Sequence, residues 1–463
     1  MTRIVILGGG PGGYEAALVA VQLGAEVVLV DRDGIGGACV LADCVPSKTL
    51  IATSESIAAM EASEALGIRP VAGGAASDHV EVDAATVYSR VKALAAAQSA
   101  DITRQVAGVG VRVVKGSGAF AGPGLVEVTS ADGTETLSAD TVLIATGASP
   151  RVLVGSEPDG ERILTWQQVY DLPSLPEHLV VVGSGVTGAE FASAYLALGS
   201  EVTLVSSRDR VMPSEDEDAA LLIEDVFTRR GMSIVKQARA AAIRRTDGGV
   251  EVTLRDGRTV TGSHCLVTVG SVPNTADIGL ERVGVATDDA GYVKVDRVSR
   301  TNVQGIYAAG DCTGLLLLAS VAAMQGRTAM WHALGDAVMP LRLATVAANV
   351  FTDPEIATVG LPAVEAAAER GGLREVKLPL ATNARAKMQG IEDGFVKLYC
   401  RPSGSVLGGV VVAPRASELI LPVSLAVQHG LNVDQLAHTF TIYPSISGSI
   451  TEAARQLHLS VQD

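Results

Sequence analysis

Two cysteines five positions apart, Cys39 and Cys44, stand in the stretch GGACVLADCVPSK, Gly36 to Lys48. The pattern offers reversible disulfide chemistry or, more simply, two reduced structural thiols. On a regular α-helix, positions five apart lie roughly 8–9 Å from each other at Cα. A disulfide needs roughly 4.4–6.8 Å. A bridge here therefore requires a tightened or broken turn, and Gly36, Gly37 and Pro46 favour one.

A second kind of chemistry precedes the cysteines. Residues 3–7, RIVIL, form a short apolar β-branched run, the pattern of a buried parallel strand. Gly8-Gly9-Gly10-Pro11-Gly12-Gly13 follows and fits G-x-G-x-x-G. A helical pattern spans Tyr14 to Leu23, and a second apolar strand, Glu26 to Val30, ends in Asp31. Such glycines let the backbone approach a pyrophosphate at a helix N-terminus. The acid at the strand tip can bind a ribose hydroxyl pair.

The unit recurs. LVVVGSGVTGAEFASAYLALGSEVTLVS, residues 179–206, aligns with residues 4–31 at a constant offset of 175 positions. Gly8, Gly10 and Gly13 map onto Gly183, Gly185 and Gly188, and Glu15 maps onto Glu190. Two copies so far apart imply two dinucleotide sites. They differ at one place: Asp31 corresponds to Ser206, so the second copy lacks the carboxylate that would repel a 2′-phosphate. Arg208 and Arg210 follow directly, either as phosphate partners for NADPH or as solvated loop residues.

Other elements must frame these loops. An Ala-rich helical stretch covers about residues 47–105, with a polar loop near Gly73–His79. Short strands are expected at Val111–Val114, Leu125–Thr129 and Thr141–Ile144, the last running into Ala145-Thr146-Gly147. Further strands are expected at Val250–Leu254 and Cys265–Val269, after which GSVPNT breaks the chain. GIYAAGDC, residues 305–312, ends a strand at Asp311, which can bind a sugar hydroxyl or simply cap a helix. A helix is expected over Ala319–Leu334. From about Leu341 the pattern alternates strand-like runs (GFVKLYC, VLGGVVVA) with helical ones and contains no glycine-rich phosphate loop.

Composition bounds the reading. A chain of 463 residues exceeds one ordinary core. Its net charge of -15 and pI near 5.0 argue against nucleic acid and anionic membrane surfaces as partners. Five cysteines are too few for a disulfide scaffold. The start, MTRIVILGGG, has no signal-peptide pattern, and no long uncharged apolar run predicts a membrane span. A cytoplasmic protein without a metal site is expected.

These motifs together resemble the flavoprotein disulfide reductases, the family of dihydrolipoamide dehydrogenase and glutathione reductase. The carriers are GGGPGG with Asp31, GGACVLADCVPSK, ATG at Ala145–Gly147, GSGVTGAE, GSVPNT, IYAAGD, FTDPEIATVG at Phe351–Gly360 and ASELI at Ala416–Ile420. The resemblance implies an α/β fold with two Rossmann-like dinucleotide-binding domains and a C-terminal α+β dimerisation domain. FAD would lie on residues 1–148 and 276–342, NADPH or NADH on 149–275, and a homodimer would form through 343–463.

The resemblance also implies roles. Cys39, Cys44, Lys48 and Glu190 would be catalytic, the cysteines as a redox disulfide beside the flavin and Lys48 pairing with Glu190. FAD would contact Gly8, Gly10, Pro11, Gly13, Asp31, Arg32, Gly37, Ala38, Lys48, Gly118, Thr146, Gly147, Asp311 and Ala319. NAD(P)H would contact Gly183, Gly185, Val186, Gly188, Glu190, Ser206, Ser207, Arg208 and Gly270.

One departure stands out. The family's C-terminal His-Pro-Thr-x-x-Glu is here Tyr443-Pro444-Ser445-Ile446-Ser447-Gly448, so the acid/base His and its orienting Glu are both gone. His438 and His458 lie nearby in sequence but not at the motif position. Thiol substrates need that base; a quinone can take its protons from water. The pattern is similar to the quinone-reducing branch of the family. A disulfide reductase with another proton donor, and a flavin-bound redox sensor, are the alternatives.

Overall fold

The computed structural model describes residues 1–68, 80–362, 365–366 and 372–458. The expected polar loop at Gly73–His79 lies outside these residues. The chain divides into two units, residues 1–49, 88–151 and 269–342 forming the first and residues 50–87, 152–268 and 343–463 the second.

The first unit is built on a seven-stranded sheet. Its order is Ile306–Ala308, Thr141–Ile144, Arg3–Leu7, Glu26–Asp31, Arg112–Gly122, Leu125–Ser130 and Gly133–Ser138. The strands from 306–308 to the start of 112–122 run parallel. Both faces of the first strand are covered: Ile4 and Ile6 enter one apolar cluster, Val5 and Leu7 the other. This is why RIVIL is continuously apolar rather than alternating. Strand 112–122 outruns its expected end at Val114, because its far half leaves the parallel sheet and pairs antiparallel with 125–130. The strand Gly133–Ser138 escapes sequence reading: its residues, GTETLS, are polar and it forms the outer edge.

The helix Pro11–Gln22 follows the first glycine loop, with Pro11 in its first turn, where a missing N–H costs nothing. It packs on the helix Ala319–Ala333 with no room for side chains at the crossing. A methyl group at Gly326 would overlap the Gly12 carbonyl oxygen. Glu15 and Arg327 close the same contact with a 2.8 Å ion pair.

The second unit repeats the parallel architecture. Its five-stranded sheet has the order Ser233–Val235, Glu201–Val205, His178–Val182, His264–Val267 and Ile163–Thr165, all parallel. The helix Val186–Ala197 follows the second glycine loop. A small antiparallel sheet, 240–246, 249–254 and 259–262, is appended. The C-terminal part is an antiparallel sheet of strands 347–350, 355–360, 406–413, 395–400 and 374–379. Its buried side chains, Leu398 and Val411 among them, share a core with Val423 of the helix Leu421–His429 and with Ile450 and Ala453 of the last helix, Gly448–Gln456.

Gly326→Ala should lower the unfolding free energy by about 1–3 kcal/mol through overpacking at the helix crossing. Denaturant melts of both proteins check this. A loss below about 0.5 kcal/mol would mean that the two helices separate freely.

Candidate active site

The cysteine stretch is held by backbone contact with the first glycine loop. Gly36 (φ 105°) and Gly37 (φ 58°) are left-handed. The Gly36 N–H donates to the Gly9 carbonyl at 2.8 Å. A side chain at Gly37 would come within 2.8 Å of the Gly10 Cα. From there a short helix, Gly37–Leu41, carries Cys39, and a new helix, Cys44–Ala62, begins on Cys44. The helical path breaks between them, as a bridge at this spacing would require. Ser99 Oγ fixes the entry by donating to the Ile35 carbonyl at 2.5 Å.

All five cysteines are free thiols, and Cys39 and Cys44 form a hydrogen-bonded pair. Cys39 is held below the ordinary thiol range, chiefly because Cys44 donates its S–H to it; burial and the charges of Asp43 and Asp311 oppose this, and Lys48 assists. Cys44 is pushed far above that range, first by donating to Cys39, then by burial. The pair therefore gives up one proton readily and the second reluctantly. The helix geometry favours the single thiolate. Cys44 opens a 19-residue helix whose positive end faces the sulfurs. Lys48 stands one turn along the same helix. Asp311, which opens the short turn after strand 306–308, acts on Cys39 and is itself raised by burial.

The remaining first-unit candidates sort by what surrounds them. Gly8 and Gly13 exist for close packing: a side chain on either would overlap backbone, of Ala145 and of Gly8 respectively. Gly10 and Gly147 face open space. The helix behind Gly10 has no side-chain cap, which leaves its first N–H groups for an anion. Thr146 has its hydroxyl oxygen buried without a hydrogen bond of ordinary geometry. These are the features that FAD would fill, and the residues fit the group.

Asp31 does more than the sequence suggests. One oxygen accepts from Gly9 N–H at 2.6 Å, the other from Asp33 and Gly34 at 2.8 and 2.6 Å, so it also closes the loop. Arg32 is exposed and pairs with Asp33. Arg32, Lys115 and Gly116 also line a cavity of about 750 Å³. Ala38 is exposed on its short helix, and Ala319 is the first residue of helix 319–333. Gly118 needs its small size for another reason than a ligand, since a side chain there would come 2.5 Å from Leu7.

The second unit repeats the glycine geometry. A side chain at Gly183 would overlap the Thr268 carbonyl, and one at Gly188 the Gly183 carbonyl. Gly185 faces open space and caps helix 186–197 without a side-chain bond. Val186 is the exposed first residue of that helix. Glu190 is buried and accepts from the Phe351 N–H at 2.9 Å. Ser206 departs from expectation. It is fully buried, with its hydroxyl bonded to Ser184 Oγ at 2.7 Å and accepting from Arg208 N–H at 3.2 Å. It organises the turn rather than presenting a hydroxyl, while Ser207 and Arg208 are exposed. Gly270 belongs to the first unit.

Three positioning residues were missed by sequence reading. Thr268 donates to the Val182 and Gly183 carbonyls at 3.1 and 3.0 Å. Its signal was available, because it follows its strand as Ala145 follows 141–144. Asn274, inside GSVPNT, donates to the Thr146 carbonyl and accepts from Ser149. Gln325 is buried and accepts from Gly310 N–H at 2.8 Å, setting the turn that carries Asp311. Nothing in the pattern of its helix marks it.

In the reduced protein, one thiol should alkylate with a midpoint below the usual thiol value of about 8.5 and the second only far above it. Lys48→Met should raise the first midpoint by about one unit, since a favourable charge is lost. Mass spectrometry after timed iodoacetamide treatment across pH reads both. Two equivalent thiols titrating near 8.5 would contradict the shared proton.

Comparison with known proteins places this arrangement. Residues 2–326 match the model of the pyridine nucleotide-disulphide oxidoreductases, and residues 346–454 match that family's dimerisation domain. An NAD(P)H dehydrogenase (quinone) of Mycobacterium tuberculosis is 58% identical, over 99% of this chain and 94% of its own. Dihydrolipoyl dehydrogenase 2 of Haloarcula marismortui is 34% identical, over 98% and 96%. The crystal structure of LpdA from Mycobacterium tuberculosis superposes with a TM-score of 0.94 at 57% identity, covering 99% of this chain and all of that one. The Escherichia coli flavoprotein disulfide reductase RclA shares the fold, with a TM-score of 0.86 at 23% identity over 98% and 99%. With its paired thiols and two dinucleotide loops, this chain belongs to the pyridine nucleotide-disulphide oxidoreductase family, whose members use FAD and NAD(P)H.

Proposed function

We propose that the chain is an FAD-dependent NAD(P)H dehydrogenase that passes electrons to a quinone-type acceptor. The observation that carries this reading is the altered C-terminal signature. Tyr443 is 86% exposed and stands just before the last helix, Gly448–Gln456, whose first residue offers no carboxylate. Phenols are poor bases near neutral pH. His438 is exposed, and His458 is engaged 2.5 Å from Asp434. Neither supplies the missing base. A quinone needs none, because its reduced oxygens take protons from water. The 58% identical relative bears the name of this activity.

Bound FAD would supply the redox chemistry that links a hydride donor, reduced nicotinamide, to the electron acceptor. The protein's part is placement. Gly8, Gly10 and Gly13 would bring backbone and a helix N-terminus to the FAD pyrophosphate, and Asp31, Thr146 and Asp311 would hold the rest of the group. Gly183, Gly185 and Gly188 do the same for NAD(P)H, and Arg208 takes the 2′-phosphate of NADPH. Residues 1–148 with 276–342 form the FAD domain and 149–275 the NAD(P) domain. Residues 343–463 join two copies as a homodimer. The acidic charge fits a protein without nucleic-acid or membrane partners, and five cysteines, too few for a disulfide scaffold, fit a cytoplasmic setting. Among the described residues, no helix is long and apolar enough to cross a membrane.

A second reading keeps a specific support. The hydrogen-bonded thiol pair beside Lys48 is what a disulfide reductase needs. An acceptor screen with NADPH separates the two. Benzoquinone-type acceptors should exceed the disulfides lipoamide and glutathione disulfide by about a hundredfold in kcat/KM. The reverse ranking would overturn the proposal. Tyr443→His with Gly448→Glu should raise disulfide turnover about tenfold by restoring base and orienter. A Cβ at Gly448 is accommodated, since it meets only Ser445 Oγ at 3.4 Å and Thr441 Oγ1 at 4.0 Å. No gain in a folded variant would mean that the missing base is not what limits thiol substrates.

A further inference from the structure

The loop that carries Arg208 runs from Ser206 to Asp216, and it is tied at both ends. At its start, Ser206 holds Ser184 and the Arg208 N–H, and the Arg208 carbonyl accepts from the Gln237 N–H at 2.8 Å. In its middle, the buried Met212 donates its N–H to the Ser184 carbonyl at 2.7 Å, so the loop leans on the second glycine loop itself. At its end, Asp216 caps the helix Glu217–Arg229.

That end is clamped to the C-terminal sheet. Lys397 reaches both oxygens of Asp216 at 2.8 Å and Asp218 at 2.5 Å, with its own side chain only 5% exposed. Lys377 sits directly opposite Lys397 in the antiparallel pair and binds the other oxygen of Asp218 at 2.7 Å. Two lysines facing across a ladder repel one another, and Asp216 and Asp218 offset that repulsion. Arg210, inside the loop, pairs with Glu217 of the same helix at 3.2 Å. Among the described residues, the Arg208 guanidinium is in no ion pair and extends from the segment between these anchors.

We infer that Lys397 is a positioning residue for nucleotide specificity: by fixing Asp216 it sets the span of the 206–216 loop and so the reach of Arg208 toward a 2′-phosphate. Lys397 touches no nucleotide; it acts through the loop. The inference rests on the reading of Arg208 given above and adds a determinant on a different sheet from the nucleotide loops.

The test uses two probes without nicotinamide, 2′,5′-ADP and 5′-AMP, titrated calorimetrically into the flavin-loaded protein. Their affinity ratio reports the 2′-phosphate alone. Wild type should favour 2′,5′-ADP, and Arg208→Ala should cut the ratio by about tenfold or more, as expected for loss of a charge-assisted contact. Lys397→Met should cut it about fivefold while 5′-AMP binding stays within about twofold. Arg210→Gln, at a more exposed site, should cut it about twofold and serves if Lys397→Met does not fold. If Arg208→Ala removes the preference but Lys397→Met, or failing it Arg210→Gln, leaves it whole, the clamp is not a positioning device and only this inference falls. If wild type shows no preference, or Arg208→Ala leaves it intact, the pocket reading falls and takes the inference with it. Equal loss of both probes in Lys397→Met would also overturn it, since that is damage rather than positioning.

Discussion

Backbone lying against backbone at the first glycine loop is the constraint from which the rest of the site follows. Gly8 abuts Ala145, Gly13 abuts Gly8, Gly37 abuts Gly10 and Gly326 abuts Gly12. Each contact excludes a Cβ, so three segments distant in sequence, at Gly37, Ala145 and Gly326, converge on one turn. The consequence is chemical. The cysteine stretch cannot move independently of the loop that would hold a pyrophosphate, because Gly36 and Gly37 are fastened to Gly9 and Gly10. The second unit uses the same device with Gly183, Gly188 and Thr268, which explains why the repeat keeps its glycines while its flanking polar residues differ.

Electrostatics then assigns the sulfurs their states. Two thiols in a hydrogen bond, at the positive end of a long helix and one turn from Lys48, share a proton. Asp43 and Asp311 temper the effect. The dithiol is thus fit for redox work even though Tyr443 and Gly448 remove the base that thiol substrates would use. The pair is retained and the proton relay is absent. The proposed electron path to a quinone accommodates both facts, because it asks nothing of an external thiol.

Much of this was legible in the sequence where a single residue type is forced by sterics. The two β-turn-α-β units, their glycines and the helix break between Cys39 and Cys44 could be placed because only small residues or a broken turn satisfy them. The Gly133–Ser138 edge strand could not, since its polar residues carry no apolar alternation. Ser206 was visible as a missing carboxylate, but its inward hydrogen bonds depend on Ser184 and on carbonyls two and four residues away. Gln325 and Lys397 act on partners 15 and more than 170 positions distant, and no local pattern encodes such partners.

Whether sulfur lies on the electron path decides the account. The most direct measurement is NADPH-driven quinone turnover by the double variant Cys39→Ser, Cys44→Ser, with FAD content checked by absorbance. Electrons that leave without passing through the thiols should keep the rate within about threefold of wild type, while any disulfide reduction disappears. A fall of about a hundredfold, worth roughly 2.7 kcal/mol of barrier, in a variant that still binds FAD and is still reduced by NADPH, would put the cysteines on the path and contradict the account.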